Sequence, residues 1–130
     1  MVIDTSALLA ILLDEPEAAS MARAIEAAAA PVISAATLVE LGAVIIHKLG
    51  ADAMGEIDAL LDAAGIEVEP LTAVQARLAC SAYASYGKGR QHRAQLNLGD
   101  CFSYALAADL GRPLLFKGDD FARTDVVSAV

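Results

Sequence analysis

Long apolar runs, cysteines and basic residues are all scarce in this chain. Although 57% of its 130 residues are hydrophobic, no apolar stretch reaches the roughly 18 residues that a membrane-spanning helix requires. Much of the apolar content is alanine, gathered in blocks such as Ala27–Ala30 and in periodic stretches that read as helix. Met1 passes straight into Val2-Ile3-Asp4 with no basic leader segment, so the expectation is a cytoplasmic protein without signal peptide or membrane span. The two cysteines, Cys80 and Cys101, form no CxxC or Cys/His pattern. That argues against a zinc site and for two reduced, mostly buried thiols. Nine Lys and Arg stand against seventeen Asp and Glu, a net charge of −8. Such a balance opposes non-specific nucleic-acid binding, unless a bound cation and a local basic patch reverse the sign where a polyanion would lie. Repeats, low-complexity tracts and linkers are absent too, and the length suits one domain over residues 1–130.

What is present is an alternation of short strands and longer helices. Val2–Asp4, Pro31–Ser34, Ile66–Val68 and Leu114–Phe116 read as strands, and Val126-Val127 as a short fifth. Helices are expected over Ser6–Leu13 and Glu17–Ala30, then from a Ser34 cap to Leu49, stopped by Gly50. Leu38, Leu41, Ile45 and Leu49 keep a helical spacing along one face of that third helix. Further helices are expected over Asp52–Ala64, from a Thr72 cap to about Tyr86, and over Asp100–Leu110. Gly87–Gly99 reads as a loop rich in glycine and charge. The pattern predicts an α/β fold: a parallel sheet of four to five short strands, joined by right-handed crossovers and flanked by helices on both faces. In such a sheet the ligand site lies beyond the carboxyl ends of the strands.

Five carboxylates meet that demand. Asp4 ends the first strand, and Asp119 and Asp120 follow the Leu114–Phe116 strand. Glu40 lies early in the helix after Val32-Ile33, and Asp100 opens the helix after the loop. Each has a plainer reading as a turn former, a helix-terminal charge or a cap. Glu40 is the hardest to explain that way, because it sits between Val39 and Leu41 in the most apolar helix, where a lone carboxylate is costly to bury. Converging acids would repel one another until one took up a proton, and a divalent cation removes the conflict. An all-oxygen donor set suits Mg²⁺ or Mn²⁺ rather than zinc.

Four segments carry a family resemblance: Met1-Val2-Ile3-Asp4-Thr5-Ser6-Ala7; Ser34–Glu40; Tyr86-Gly87-Lys88-Gly89-Arg90 running on to Leu96-Asn97-Leu98-Gly99-Asp100-Cys101-Phe102; and Leu114-Leu115-Phe116-Lys117-Gly118-Asp119-Asp120-Phe121. In this order and spacing the chain resembles PIN-domain nucleases, specifically VapC-type toxins of toxin–antitoxin pairs. The resemblance implies a PIN-like form of the sheet and a Mg²⁺-dependent endoribonuclease that hydrolyses RNA with metal-activated water. It implies Asp4, Glu40 and Asp100 as site acids, with Asp4 and Asp100 at the metal. The fourth acid is Asp119 or Asp120, with Asp120, just before the phenylalanine, slightly favoured. Thr5 and Ser6 match small hydroxyl residues beside the first aspartate and would support a carboxylate or a metal-bound water, or else cap the next helix. No dedicated general base is apparent, since His47 lies in a helix interior.

Lys88, Arg90, His92 and Arg93 crowd the loop before Asp100, an arrangement suited to positioning RNA phosphates. The same residues also fit a solvated loop. Lys117 is a further candidate for the patch. Tyr83, Tyr86 and Phe121 read chiefly as core, with base stacking as the alternative. The resemblance further implies a homodimer and a VapB-type antitoxin, for which the segments Ala7–Leu13 and Glu17–Ala30 are the candidate surface. Two rival functions fit the same chain: a non-catalytic PIN-like interaction module, and a receiver-like phosphoacceptor domain. The second lacks the early acid pair it needs.

Overall fold

The apolar dipeptides Val2-Ile3, Val32-Ile33 and Leu114-Leu115 set the architecture. Successive side chains of a strand point to opposite faces, so each dipeptide feeds two cores. In the computed structural model, which describes residues 1–130, Ile3, Ile33 and Leu115 join one buried cluster with Leu8, Leu41, Ile45 and Ile57. Val2, Val32 and Leu114 join a second cluster with Ala79, Leu96, Leu106 and Phe121.

The strands are β1 (Val2–Ile3), β2 (Val32–Ser34), β3 (Glu67–Glu69) and β4 (Leu114–Leu115). They form one sheet in the order β3-β2-β1-β4, with every pairing parallel. Helices α1 (Thr5–Leu12), α2 (Ala18–Glu26), α3 (Ala35–Leu49) and α4 (Met54–Ala64) supply the first core. Helices α5 (Ala73–Tyr86) and α6 (Leu98–Leu110) supply the second. The expected α/β architecture, with four parallel strands covered on both faces, is the one observed. The strand order reverses between β1 and β4, and parallel sheets bind ligands at such a reversal.

Several expected boundaries shift. The alanine block does not extend α2, which ends at Glu26. Pro31 disfavours helix in the residue before it, and the chain must straighten into β2, so helix propensity loses to context. α6 starts at Leu98 rather than Asp100, because Asn97 forms its cap: the Asn97 side chain accepts from the Asp100 N–H and the Asp100 carboxylate accepts from the Asn97 N–H. β3 falls on Glu67–Glu69 rather than Ile66–Val68, with Glu67 and Val68 exposed at the sheet edge. The tail makes a single parallel bridge, Leu114 to Ser128, in place of a fifth strand. Along α3, Leu41 and Ile45 are fully buried but Leu49, at the helix end, is exposed. Cys101 is buried as expected; Cys80 is exposed. No helix is long and apolar enough to cross a membrane.

Candidate active site

Local structure brings the acids to one edge of the sheet. Asp4 follows β1 directly and caps α1, its Oδ2 accepting the Ser6 N–H at 2.9 Å and the Ser6 hydroxyl at 2.6 Å. The Ser6 Oγ in turn accepts the Lys117 backbone N–H at 2.9 Å. One serine thus ties the segment after β4 to the aspartate after β1, across the point where strand order reverses. The other oxygen of Asp4, Oδ1, accepts the Ser103 hydroxyl from α6 at 2.7 Å. Asp4 is only 2% exposed, so these donors take the place of water around a buried carboxylate.

Glu40, one turn beyond Thr37 on α3, lies against the backbone of Gly99. A Cβ at residue 99 would stand 1.1 Å from Glu40 Oε2, so the close approach of α3 and α6 here requires glycine. Burial raises the Glu40 carboxyl above its usual range; the nearby Thr5 hydroxyl opposes this, and the charge of Asp4 adds to it. The Thr5 hydroxyl is itself buried, and Glu40 is the acid it acts on. Next to Gly99, the Asp100 carboxyl is raised to about 7. Burial is the main cause, the Asn97 N–H opposes it, and the charges of Asp4, Glu40 and Asp120 add to it. Asp4, Glu40 and Asp100 therefore form one electrostatic group. Of the exposed pair, Asp120 is the member whose charge reaches Asp100; Asp119 is not among the charges acting there.

The donor set is all oxygen, and no three His, Cys, Asp or Glu side chains stand close enough together to cage a metal ion. Mg²⁺ keeps several of its waters and is commonly held by one or two carboxylates plus substrate phosphate. That binding mode fits these acids; a closed protein cage would not.

The basic loop divides. Lys88, Arg90 and Arg93 are exposed. His92 folds inward, its ring 4.8 Å from that of Tyr86 in an edge-on arrangement, with Nδ1 accepting the Ala94 N–H. The loop is tied rather than loose: Gly87 bridges to Leu96, Gln95 donates to the Arg90 and His92 carbonyls, and Arg90 Nε donates to the Ala84 carbonyl. Arg123 joins this region by donating to the Arg93 carbonyl. Lys117 does not extend the patch, because its ammonium is held by Glu15 at 2.7 Å and Glu17 at 3.1 Å. Tyr86 is half-buried and Phe121 buried in the second core, while Tyr83 is exposed.

Three further residues shape the site although their residue types alone assign them no role there: Gly99, Ser103 and Thr37. The fully buried Thr37 and Ser103 hydroxyls lie 3.1 Å apart. Each sits three residues from a site acid on its own helix, Thr37 before Glu40 and Ser103 after Asp100. That spacing puts hydroxyl and carboxylate on one helical face, and it is the one signal of their role that the amino-acid sequence carries.

The PIN domain family model matches residues 1–127. The chain is 48% identical over 128 residues to ribonuclease VapC30 of Mycobacterium tuberculosis, a match covering 98% of this chain and 97% of that protein. It is 47% identical over 130 residues to ribonuclease VapC28 of the same organism, covering 100% and 98%. The fold is similar to the crystal structure of Mycobacterium tuberculosis VapC20, described as a sarcin-ricin loop cleaving toxin, with a TM-score of 0.76 at 19% identity over 97% of this chain and 95% of that one. A chain of a toxin–antitoxin complex from Klebsiella pneumoniae gives a TM-score of 0.69 at 19% identity, covering 99% and 97%. The chain belongs to the PIN-domain family and, within it, to the VapC-type ribonucleases.

Proposed function

We propose that this chain is a Mg²⁺-dependent endoribonuclease, the toxin of a type II toxin–antitoxin pair, with Asp4, Glu40, Asp100 and Asp120 as its site acids and Asp4 and Asp100 at the metal. The observation that carries the reading is the Asp100 carboxyl, raised to about 7 by burial and by three neighbouring acids. The charges acting on it are all acidic, and the ammonium of Lys117 is held by Glu15 and Glu17 instead. A divalent ion, Mg²⁺ or equally Mn²⁺, would neutralise the group, polarise the scissile phosphate and ready a water for attack.

The protein's own residues do the positioning. Ser6 fixes Asp4 relative to the segment after β4, and the Asn97 cap fixes Asp100 at the start of α6. Lys88, Arg90 and Arg93 would hold RNA phosphates on the approach to the acids. His92, turned onto Tyr86, serves the shape of the loop more than phosphate binding.

The antitoxin belongs to the same reading, with arginines of its own pairing to the acids. The outer faces of α1 and α2 are its proposed seat. Ala7, Leu8 and Ala10 are committed to the monomer core, leaving Leu9, Ile11 and Leu12 half-exposed for a partner. A homodimer is proposed as well, to be tested by light scattering of purified protein. The nuclease reading is tested by incubating antitoxin-free protein with structured RNA, with Mg²⁺ and with excess EDTA. Cleavage should require the ion and fail in Asp4→Asn and Asp100→Asn; cleavage undiminished in EDTA would refute it.

A further inference from the structure

The buried hydroxyl pair behind Asp4 has a direction. Asp4 is only 2% exposed, and the Ser103 hydroxyl donates its single hydrogen to Asp4 Oδ1. In the 3.1 Å contact between Ser103 and Thr37, Ser103 must then accept and Thr37 donate. The result is a chain, Thr37 to Ser103 to Asp4, that runs from α3 through α6 to the end of β1. Thr37 and Ser103 are both 0% exposed, so no water can replace either link.

Counting lone pairs sharpens its role. A carboxylate oxygen offers about two acceptor positions. Oδ2 of Asp4 already takes two donors, both from Ser6, whereas Oδ1 takes only one, from Ser103. The acceptor position left on Asp4 is therefore on the oxygen that Ser103 holds.

We propose that Ser103, backed by Thr37, is a positioning residue that aims Oδ1 of Asp4 at the cation and so sets the protein's affinity for Mg²⁺ or Mn²⁺. The inference rests on the metal-dependent reading above. Groups that hydrogen-bond a metal-ligating carboxylate commonly contribute about 10- to 100-fold in affinity or activity. Thr37 acts only through Ser103, so its loss should weaken binding less, and should add nothing once the Ser103 hydroxyl is gone.

The test is a Mn²⁺ titration of RNA-free protein, read by electron paramagnetic resonance, for wild type, Asp4→Asn, Ser103→Ala, Thr37→Val and the Ser103→Ala/Thr37→Val double variant. Circular dichroism and melting temperature report folding. Ser103→Ala should weaken Mn²⁺ binding about 10- to 100-fold, Thr37→Val should weaken it less, and the double variant should match Ser103→Ala. Thr37→Val preserves shape, so it still decides the matter should Ser103→Ala fail to fold: an unchanged Mn²⁺ affinity in a folded Thr37→Val variant then overturns the proposal. Wild-type affinity in folded Ser103→Ala overturns it directly. Wild type that binds no Mn²⁺ at Asp4 overturns this proposal, whereas only RNA cleavage undiminished in EDTA overturns the metal-dependent reading, so the two failures are told apart.

Discussion

Asp100 should dominate the pH response of the metal-free protein. Its carboxyl titrates at about 7 in the fold against an ordinary 3.8, so between those values the folded state keeps a proton that the unfolded chain has lost. The unfolded chain binds fewer protons there, and stability must fall as pH rises from about 4 to about 7. A change from 3.8 to about 7 is worth at most about 4 kcal/mol, at about 1.36 kcal/mol per tenfold. The carboxyl is partly exposed, and solvent screening brings the expected loss to about 2 kcal/mol. Asp100→Asn retains an oxygen to accept the Asn97 N–H but cannot ionise. Urea denaturation in EDTA, from about pH 4 to about pH 8, should show wild type losing about 2 kcal/mol. Asp100→Asn should lose most of that dependence and be the more stable protein above pH 7; a smaller fall remains from Glu40, which is raised in the same direction. Saturating Mg²⁺ should flatten the wild-type profile, because an ion bound only by the folded state offsets the repulsion. A flat metal-free wild type, or an Asp100→Asn variant with the wild-type fall, would show that the acids do not confront one another as described.

Three further outcomes follow from the site. In Gly99→Ala, Glu40 must retreat by roughly 2.5 Å to regain van der Waals distance; RNA cleavage should fall about 100-fold, as for a misplaced active-site group, while circular dichroism stays native. Asp120→Asn should lower cleavage at least about tenfold, whereas Asp119→Asn, on the surface and away from Asp100, should stay within about twofold; equal effects would erase the distinction. Arg90→Ala combined with Arg93→Ala should weaken RNA binding and reduce its salt slope by about 0.7 per lost phosphate contact, while Lys117→Ala should leave the slope unchanged because Glu15 and Glu17 already hold its ammonium.

The acids are legible in the sequence because their placement follows from chain order alone. Asp4 ends a strand, Glu40 and Asp100 stand near helix starts, and a parallel sheet gathers such positions at one edge. Thr37 and Ser103 are not, since they acquire meaning only when α3 and α6 meet. The same contact explains Gly99, whose missing side chain makes room for a carboxylate distant in sequence. Ala27–Ala30 shows the limit of propensity: four good helix formers give way before Pro31. Composition locates the basic loop, but not the inward turn of His92 or the ion pairs of Lys117, which depend on Tyr86 and on the glutamates just before α2.

The two margins of the sheet are finished differently. Strand β3 presents Glu67 and Glu69 on either side of Val68, so a strand docking there would meet carboxylates at both ends of its only apolar step. Strand β4 has no such charges; its free backbone groups are engaged by the tail, with Leu114 N–H donating to Val127 and the Leu114 carbonyl accepting from Ala129. A chain clipped before Val126 would uncover the backbone N–H and carbonyl of Leu114. The residues after Val126 thus cover the backbone N–H and carbonyl that β4 turns away from β1.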